Sequence, residues 1–93
     1  MIPSISIKQV LDKSNIIDIR SRESYNNNHI PTAINIPFEQ LIINPSKYLN
    51  KDVMYYLYCR SGITSMKTCE MLIKQGFHVT NITGGYESWI LEN

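Results

Sequence analysis

Long apolar runs and an excess of charge of either sign are both lacking in this sequence of 93 residues. No segment approaches the ~20 unbroken apolar residues of a membrane-spanning helix, and MIPSISIKQV has neither the basic region nor the apolar run of a secretory signal. Nine basic residues against eight acidic ones give a formal charge of +1, which excludes a basic nucleic-acid binder and a disordered acidic segment. We therefore expect a cytoplasmic protein whose partners include no membrane and no nucleic acid.

Cysteine is also scarce, and the predicted function depends on the roles of the two cysteine residues. Two cysteines are too few for a disulfide scaffold in a chain of this length. In a reducing compartment each is either a buried apolar side chain or a reactive thiol. No cluster of His, Cys and Asp residues has ligand spacing, so we expect no metal site.

What the sequence does contain is an alternation of short strand-like and helical segments without repeats or linkers. Its length suits one domain with a single core, which we expect to span residues 1–93. The run VMYYLY is apolar at nearly every position, as in a central strand that is covered on both faces. Because the connections are short, the alternation predicts an α/β fold with an open parallel sheet of about five short strands and helices on both faces. The strands are expected near Ile5 and over residues 16–19, 33–36, 53–58 and 77–82.

The strongest helical pattern follows residue 64. It predicts a buried face formed by Ser65, Cys69, Leu72 and Ile73, and Gly76 supplies a left-handed end. Cys69 is accordingly interpreted as a buried helix residue, and a redox role is the alternative.

Cys59 is the most informative position, because it directly follows the predicted central strand. Ligand sites in open parallel sheets lie beyond the carboxyl ends of the strands. The next loop is short, and Gly62 permits the positive φ that a tight curl needs. Inward-facing N–H groups of such a loop and of the following helix would stabilise a thiolate. On spacing alone, a buried strand-end cysteine beside an ordinary turn is the alternative.

Side chains of the same loop add to this predicted site. Arg60 brings a full positive charge, and the hydroxyls of Ser61, Thr64 and Ser65 can donate hydrogen bonds to a bound sulfur or oxyanion. We therefore predict a catalytic Cys59 and a substrate-binding loop that consists of Arg60, Ser61, Gly62, Ile63, Thr64 and Ser65.

Several motifs occur in the order found in the rhodanese family of sulfurtransferases, and the chain resembles that family over most of its length. IIDIRSRESY is similar to a strand that ends in Asp-Val-Arg before a Glu-x-Tyr/Phe helix, and NHIPTAINIP to a Gly-His-Ile-Pro-Gly-Ala segment. CRSGITS resembles the active-site loop, and GFHVTNITGGYESW the closing Gly-Phe, Gly-Gly and Trp. The resemblance implies a five-stranded parallel domain. It also implies that Cys59 takes the outer sulfur of a donor, becomes a persulfide and passes the sulfur to a thiophilic acceptor, without a cofactor.

Loop length separates the chemistries known for this fold. Related phosphatases and arsenate reductases use Cys, five residues and Arg, which widens the cradle for a tetrahedral oxyanion, whereas Ser65 stands at that position here. Arg60 resembles the thiosulfate type rather than the mercaptopyruvate type, which has Gly there. The expected partners are a small anionic sulfur donor and a thiol or protein acceptor. A persulfide carrier that acts with a partner protein and a non-catalytic binding module are the alternatives.

Two positions depart from the family motif because glycine is replaced. Asn28 tolerates left-handed backbone, but Thr32 does not do so readily, so we expect the loop there to bend differently. His29 in the same motif is expected to be structural. Asp18 and Arg20 are expected to form a hydrogen-bonded pair rather than to contact substrate.

Overall fold

The architecture is a five-stranded parallel sheet with helices on both faces, as the sequence predicts. A computed structural model describes residues 2–93. The strands are β1 (Ser4–Ile5), β2 (Ile16–Asp18), β3 (Ile34–Asn35), β4 (Met54–Tyr58) and β5 (His78–Ile82). The α-helices are α1 (Arg22–Asn27), α2 (Phe38–Ile43), α3 (Ile63–Lys74) and α4 (Gly85–Glu92), and 3-10 helices cover Ile7–Asp12 and Pro45–Lys47. The strand order is β1-β5-β4-β2-β3.

β4 lies in the middle of the sheet, which its continuous apolar run predicts. Leu57 packs into the core beneath α2 and α3, whereas the adjacent Tyr58 packs into the core beneath α1 and α4. Both side chains are fully buried. The carboxyl end of β4 is therefore fixed by packing on both faces, and Cys59 follows at that end.

The buried face of α3 is shifted around the helix from the one that its sequence pattern predicts. The buried residues are Ser65, Thr68, Cys69 and Leu72. The prediction for Ile73 is wrong, since its side chain is 37% exposed. Ile73 lies at the edge of the buried face formed by these four residues. Thr68 is buried instead, and its hydroxyl donates to the Thr64 carbonyl at 2.8 Å. No helix within residues 2–93 has the length and apolar character of a membrane span.

The turn after α1 takes left-handed backbone at a threonine. Thr32 has φ of 70°, a region that costs a residue with a side chain about 1 to 2 kcal/mol. Asn28, which tolerates that region better, is extended at φ −171°. The Ala33 N–H donates to the Ile30 carbonyl at 3.1 Å and closes the turn. Thr32 thus adopts the backbone that glycine adopts most readily.

Candidate active site

The sulfur of Cys59 lies inside the turn that joins β4 to α3. The backbone N–H groups of Gly62 and Ser65 both donate to Sγ, each at 3.2 Å. Cys59 is 6% exposed, so its sulfur is recessed rather than presented on the surface. Two N–H donors that converge on one atom surround it with partial positive charge, which suits a sulfur anion.

Glycine at position 62 makes the tight turn possible. Its φ is +94°, and a Cβ built there would lie 2.9 Å from the Gly84 nitrogen. Both the positive φ and the close approach of two backbones therefore require a residue without a side chain. The positive φ expected at this position is confirmed.

α4 holds the loop from behind. The Tyr86 N–H donates to the Cys59 carbonyl at 2.9 Å, and the Glu87 N–H donates to the Arg60 carbonyl at 2.9 Å. These are N–H groups at the start of a helix, where no carbonyl of the helix itself accepts them. Because the carbonyls of Cys59 and Arg60 accept from α4, the loop between β4 and α3 can direct its own N–H groups toward the sulfur.

A cavity of about 380 Å³ opens beside the sulfur. Its lining residues are Ile19, Arg20, Phe38, Glu39, Cys59, Arg60, Ser61 and Thr64. Arg60 does not point freely into it, because its Nε donates to Glu87 Oε2 at 3.2 Å. Within residues 2–93, Glu39 forms no ion pair. Positive charge at this cavity is therefore largely balanced by carboxylates.

The predicted loop residues divide into two groups. Gly62 and Ser65 supply the N–H groups at the sulfur, whereas Arg60, Ser61 and Thr64 line the cavity. The remaining residue, Ile63, begins α3, does not line that cavity and has an exposed side chain.

The Ser65 hydroxyl differs from its predicted role. It was expected to donate to a bound sulfur or oxyanion, but it donates to Asn81 Oδ1 at 2.6 Å and lies 3.3 Å from Cys59 Sγ as an acceptor of the thiol proton. Asn81 on β5 is buried and was missed by the sequence analysis. The sequence held little signal for it, because β5 reads HVTNI and also contains the polar residues His78 and Thr80.

Asp18 and Arg20 form the expected pair at the end of β2. The carboxylate of the fully buried Asp18 accepts from Arg20 Nε at 3.0 Å, from Arg20 Nη2 at 2.7 Å and from the Tyr58 hydroxyl at 2.7 Å. Burial lowers the pKa of Arg20, but the hydrogen bond and charge of Asp18 outweigh it and the net pKa is raised. Burial and the same hydrogen bond to Asp18 raise the pKa of Tyr58. Arg20 also donates to the Asn28 carbonyl at 2.6 Å and thereby ties the turn after α1 to the sheet.

The remaining Cys and His residues of interest lie apart from the sulfur site. Cys69 is fully buried in α3, where burial and then the charge of Cys59 raise the pKa of its thiol to about 12. The ring of His29 stacks on Tyr25 at 3.8 Å, and its Nδ1 lies 2.9 Å from the Tyr25 carbonyl oxygen. Both arrangements agree with structural roles.

Comparison with known proteins identifies the class to which this fold and site belong. The family described as "Rhodanese-like domain" matches residues 6–92. The chain therefore belongs to the rhodanese-like family of sulfurtransferases. A rhodanese-like domain protein from Staphylococcus aureus has the same fold with a TM-score of 0.85 at 29% identity, covering 95% of this chain and 91% of that one.

Three relatives indicate the range of activities named within the family. "Putative sulfurtransferase YtwF" of Bacillus subtilis (strain 168) is 38% identical over 80% of this chain and 71% of its own length. "Thiosulfate sulfurtransferase GlpE" of Coxiella burnetii is 33% identical over 80% of this chain and 69% of its own length. "Putative sulfur carrier protein YrkF" of Bacillus subtilis (strain 168) is 35% identical over 95% of this chain, but the match spans only 51% of YrkF.

Proposed function

We propose that this protein is a sulfurtransferase that moves a sulfane sulfur from thiosulfate, or a similar small anionic donor, to cyanide or a thiol through a persulfide on Cys59. One observation carries the proposal: Cys59 Sγ receives the N–H groups of Gly62 and Ser65 beside an open cavity. That arrangement supplies both a stabilised nucleophile and room for its substrate. The name of the relative GlpE supports thiosulfate as the donor.

The reaction needs no group beyond the substrates and this chain. The Cys59 thiolate attacks the outer sulfur of thiosulfate, a new S–S bond forms, and the old S–S bond breaks as sulfite leaves with the electron pair. The acceptor then attacks the terminal sulfur and the Cys59 thiolate leaves. In this scheme the N–H groups of Gly62 and Ser65 stabilise the thiolate. The donor enters past Arg60, Ser61 and Thr64. We also propose that residues 1–93 act as one domain.

Intact-mass analysis tests the nucleophile and the donor together. Incubation with thiosulfate is expected to add one sulfur atom, and cyanide is expected to remove it as thiocyanate. Cys59→Ser should gain no sulfur, whereas Cys69→Ser, the matched control, should gain it normally because that thiol is fully buried. A wild-type protein that gains no mass, or a Cys59→Ser variant that still turns over, would contradict the proposal.

A persulfide carrier is the second candidate. Both arginines at the cavity are already paired with carboxylates, which weakens their attraction for a small dianion, and YrkF is named as a sulfur carrier. Slow loading from thiosulfate together with rapid loading from the persulfide of a cysteine desulfurase would favour this function. A non-catalytic binding module is less well supported, because binding alone does not require a cysteine that receives two N–H groups.

We also propose a cytoplasmic location. Both thiols are free, which suits a reducing compartment. Fractionation of cells that produce the protein tests this proposal, and recovery outside the cytoplasm would contradict it.

A further inference from the structure

Asn81 lies outside the active-site loop but is linked to Cys59 through the Ser65 hydroxyl. Ser65 Oγ lies 2.6 Å from Asn81 Oδ1 and 3.3 Å from Cys59 Sγ. Ser65 is 0% exposed and Asn81 is 4% exposed. Within residues 2–93 the hydroxyl has hydrogen-bond contacts only with these two side chains, so they determine how it is oriented.

The amide of Asn81 sets the direction of this chain of hydrogen bonds. Asn81 Nδ2 faces the Gly62 carbonyl at 3.5 Å, and a carbonyl can only accept. The Gly62 carbonyl already accepts from the Met66 N–H at 3.2 Å. Reversal of the amide would put Oδ1 against that carbonyl oxygen and leave the buried Oδ1 without a donor. Oδ1 therefore faces Ser65 and accepts its proton.

A serine hydroxyl carries a single proton, so it cannot donate to two partners at once. Since that proton is donated to Asn81 Oδ1, the oxygen faces Cys59 with its lone pairs. The thiol of Cys59 fits this arrangement completely, because sulfur accepts from two N–H groups and its own proton is donated to Ser65. A thiolate would have the two N–H donors but would also face an oxygen lone pair.

We infer that Asn81 is a positioning residue for the nucleophile: by accepting the Ser65 proton it keeps the Ser65 hydroxyl from donating to Cys59 Sγ. When the thiol proton leaves to water and the sulfur keeps the electron pair, the Ser65 hydroxyl rotates from Asn81 toward the sulfur. Loss of the Ser65–Asn81 hydrogen bond thus accompanies activation. The inference rests on the proposed function only in taking Cys59 as the nucleophile.

The test measures the rate at which iodoacetamide alkylates Cys59, followed at that residue by peptide mass spectrometry across neutral pH. Asn81→Val removes the acceptor and keeps a residue that suits a strand. The freed Ser65 hydroxyl then donates to the thiolate, so we expect alkylation about fivefold faster near neutral pH, the effect of roughly one hydrogen bond.

A double-mutant cycle separates this effect from a loss of packing. In a Ser65→Ala background no hydroxyl remains to be turned, so adding Asn81→Val should change the rate by less than about twofold. A slower or unchanged rate in Asn81→Val alone would overturn the inference, as would an equal increase in both backgrounds.

Asn81→Asp provides a test that does not depend on the folding of the valine variant. A carboxylate still accepts from Ser65 and adds negative charge near the sulfur, so alkylation should become slower than in the wild type. Faster or unchanged alkylation in folded Asn81→Asp, with folding checked by thermal unfolding, would also overturn the inference. Because alkylation requires no sulfur donor, these outcomes are distinguishable from a failure to form the persulfide.

Discussion

Cys59 and Cys69 carry the same thiol group in opposite surroundings, although both belong to one core cluster. Cys59 Sγ accepts from two backbone N–H groups and adjoins a cavity. Cys69 is fully buried in the middle of α3, and it is not among the residues that line that cavity. Burial without compensating donors favours the neutral form of a thiol. Only Cys59 therefore meets a small reactant from solvent while the protein stays folded.

The raised pKa of Cys69 leads to a prediction about stability at alkaline pH. Folding moves this pKa from 9.0 to about 12 through burial and, second, through Cys59, so the folded state favours the protonated thiol. The resulting stabilisation is complete below about pH 9, the unfolded value, and is lost as the pH rises through the folded value of about 12. We expect the free energy of unfolding to fall more steeply over this window in the wild type than in Cys69→Val.

Urea unfolding at a series of pH values measures this difference. A constant offset between the two proteins near neutral pH reports the change in packing alone and serves as the internal control. Parallel curves up to the alkaline end would contradict the assignment of a strongly stabilised thiol at residue 69.

Individual site residues differed in how far the sequence could predict them. The position of Cys59 at the carboxyl end of the central strand was predictable, because the apolar run that marks this strand ends directly before it. Asn81 was not, because its contact with Ser65 joins residues 16 positions apart through the sheet. The pairing of Arg60 with Glu87, 27 positions away, was hidden for the same reason.

At the level of elements, the approach between the active-site loop and α4 leaves no room for a side chain. A Cβ at Gly85 would lie 2.3 Å from the Cys59 carbonyl oxygen and 2.9 Å from that of Arg60. Those two carbonyls accept the N–H groups of Tyr86 and Glu87. Any shift of α4 is therefore transmitted directly to the backbone that surrounds the sulfur.

Gly85→Ala is expected to reduce sulfur transfer by more than about tenfold, because displacement of the loop by about 1 Å misplaces the reacting atoms. Gly76→Ala is the matched control: it also has a positive φ, but its nearest neighbour would be the flexible Lys51 side chain at 3.7 Å. Both variants should lose about 1 kcal/mol or more of stability, but only Gly85→Ala should lose activity. Thermal unfolding and persulfide loading measure the two effects, and similar activity in the two variants would refute this account.

The elements themselves were largely predictable from their patterns. A continuous apolar run identified β4 as the central strand, and Gly76 marked the end of α3, whereas α3 begins at Ile63, two residues before the predicted start at Ser65. The exposure of Ile73 was not predictable, because the sequence does not specify whether the sheet covers the Thr68 side or the Ile73 side of the helix. The left-handed φ of Thr32 was not predictable either, because threonine disfavours this backbone conformation. The surrounding closed turn compensates for its cost, and that turn is visible only in the structure.

At the level of the whole molecule, a formal charge of +1 means that attraction of an anionic donor depends on local charges. The cavity contains Arg20, which is paired with Asp18, and Arg60, which is paired with Glu87. Glu39 also lines it and is exposed. Its carboxylate repels a dianion that approaches the sulfur.

Glu39→Gln should therefore raise kcat/KM for thiosulfate by about two- to threefold at low ionic strength, and the gain should disappear at about 1 M salt. Glu23→Gln is the matched control, since Glu23 is also an exposed residue in the first turn of a helix but does not line this cavity. Steady-state kinetics at several salt concentrations measure the effect. A gain that persists at high salt, or that appears equally in Glu23→Gln, would contradict a charge effect at the cavity.

The hydrogen bonds from residues 86 and 87 to the loop carbonyls have a consequence for biosynthesis. A ribosome produces Cys59 well before it produces the two amides that set the shape of the backbone around it. The growing polypeptide thus exposes Cys59 first, and the loop that directs two N–H groups at its sulfur is held in place only after residue 87 has emerged. The geometry around the sulfur is in this way coupled to the completion of folding.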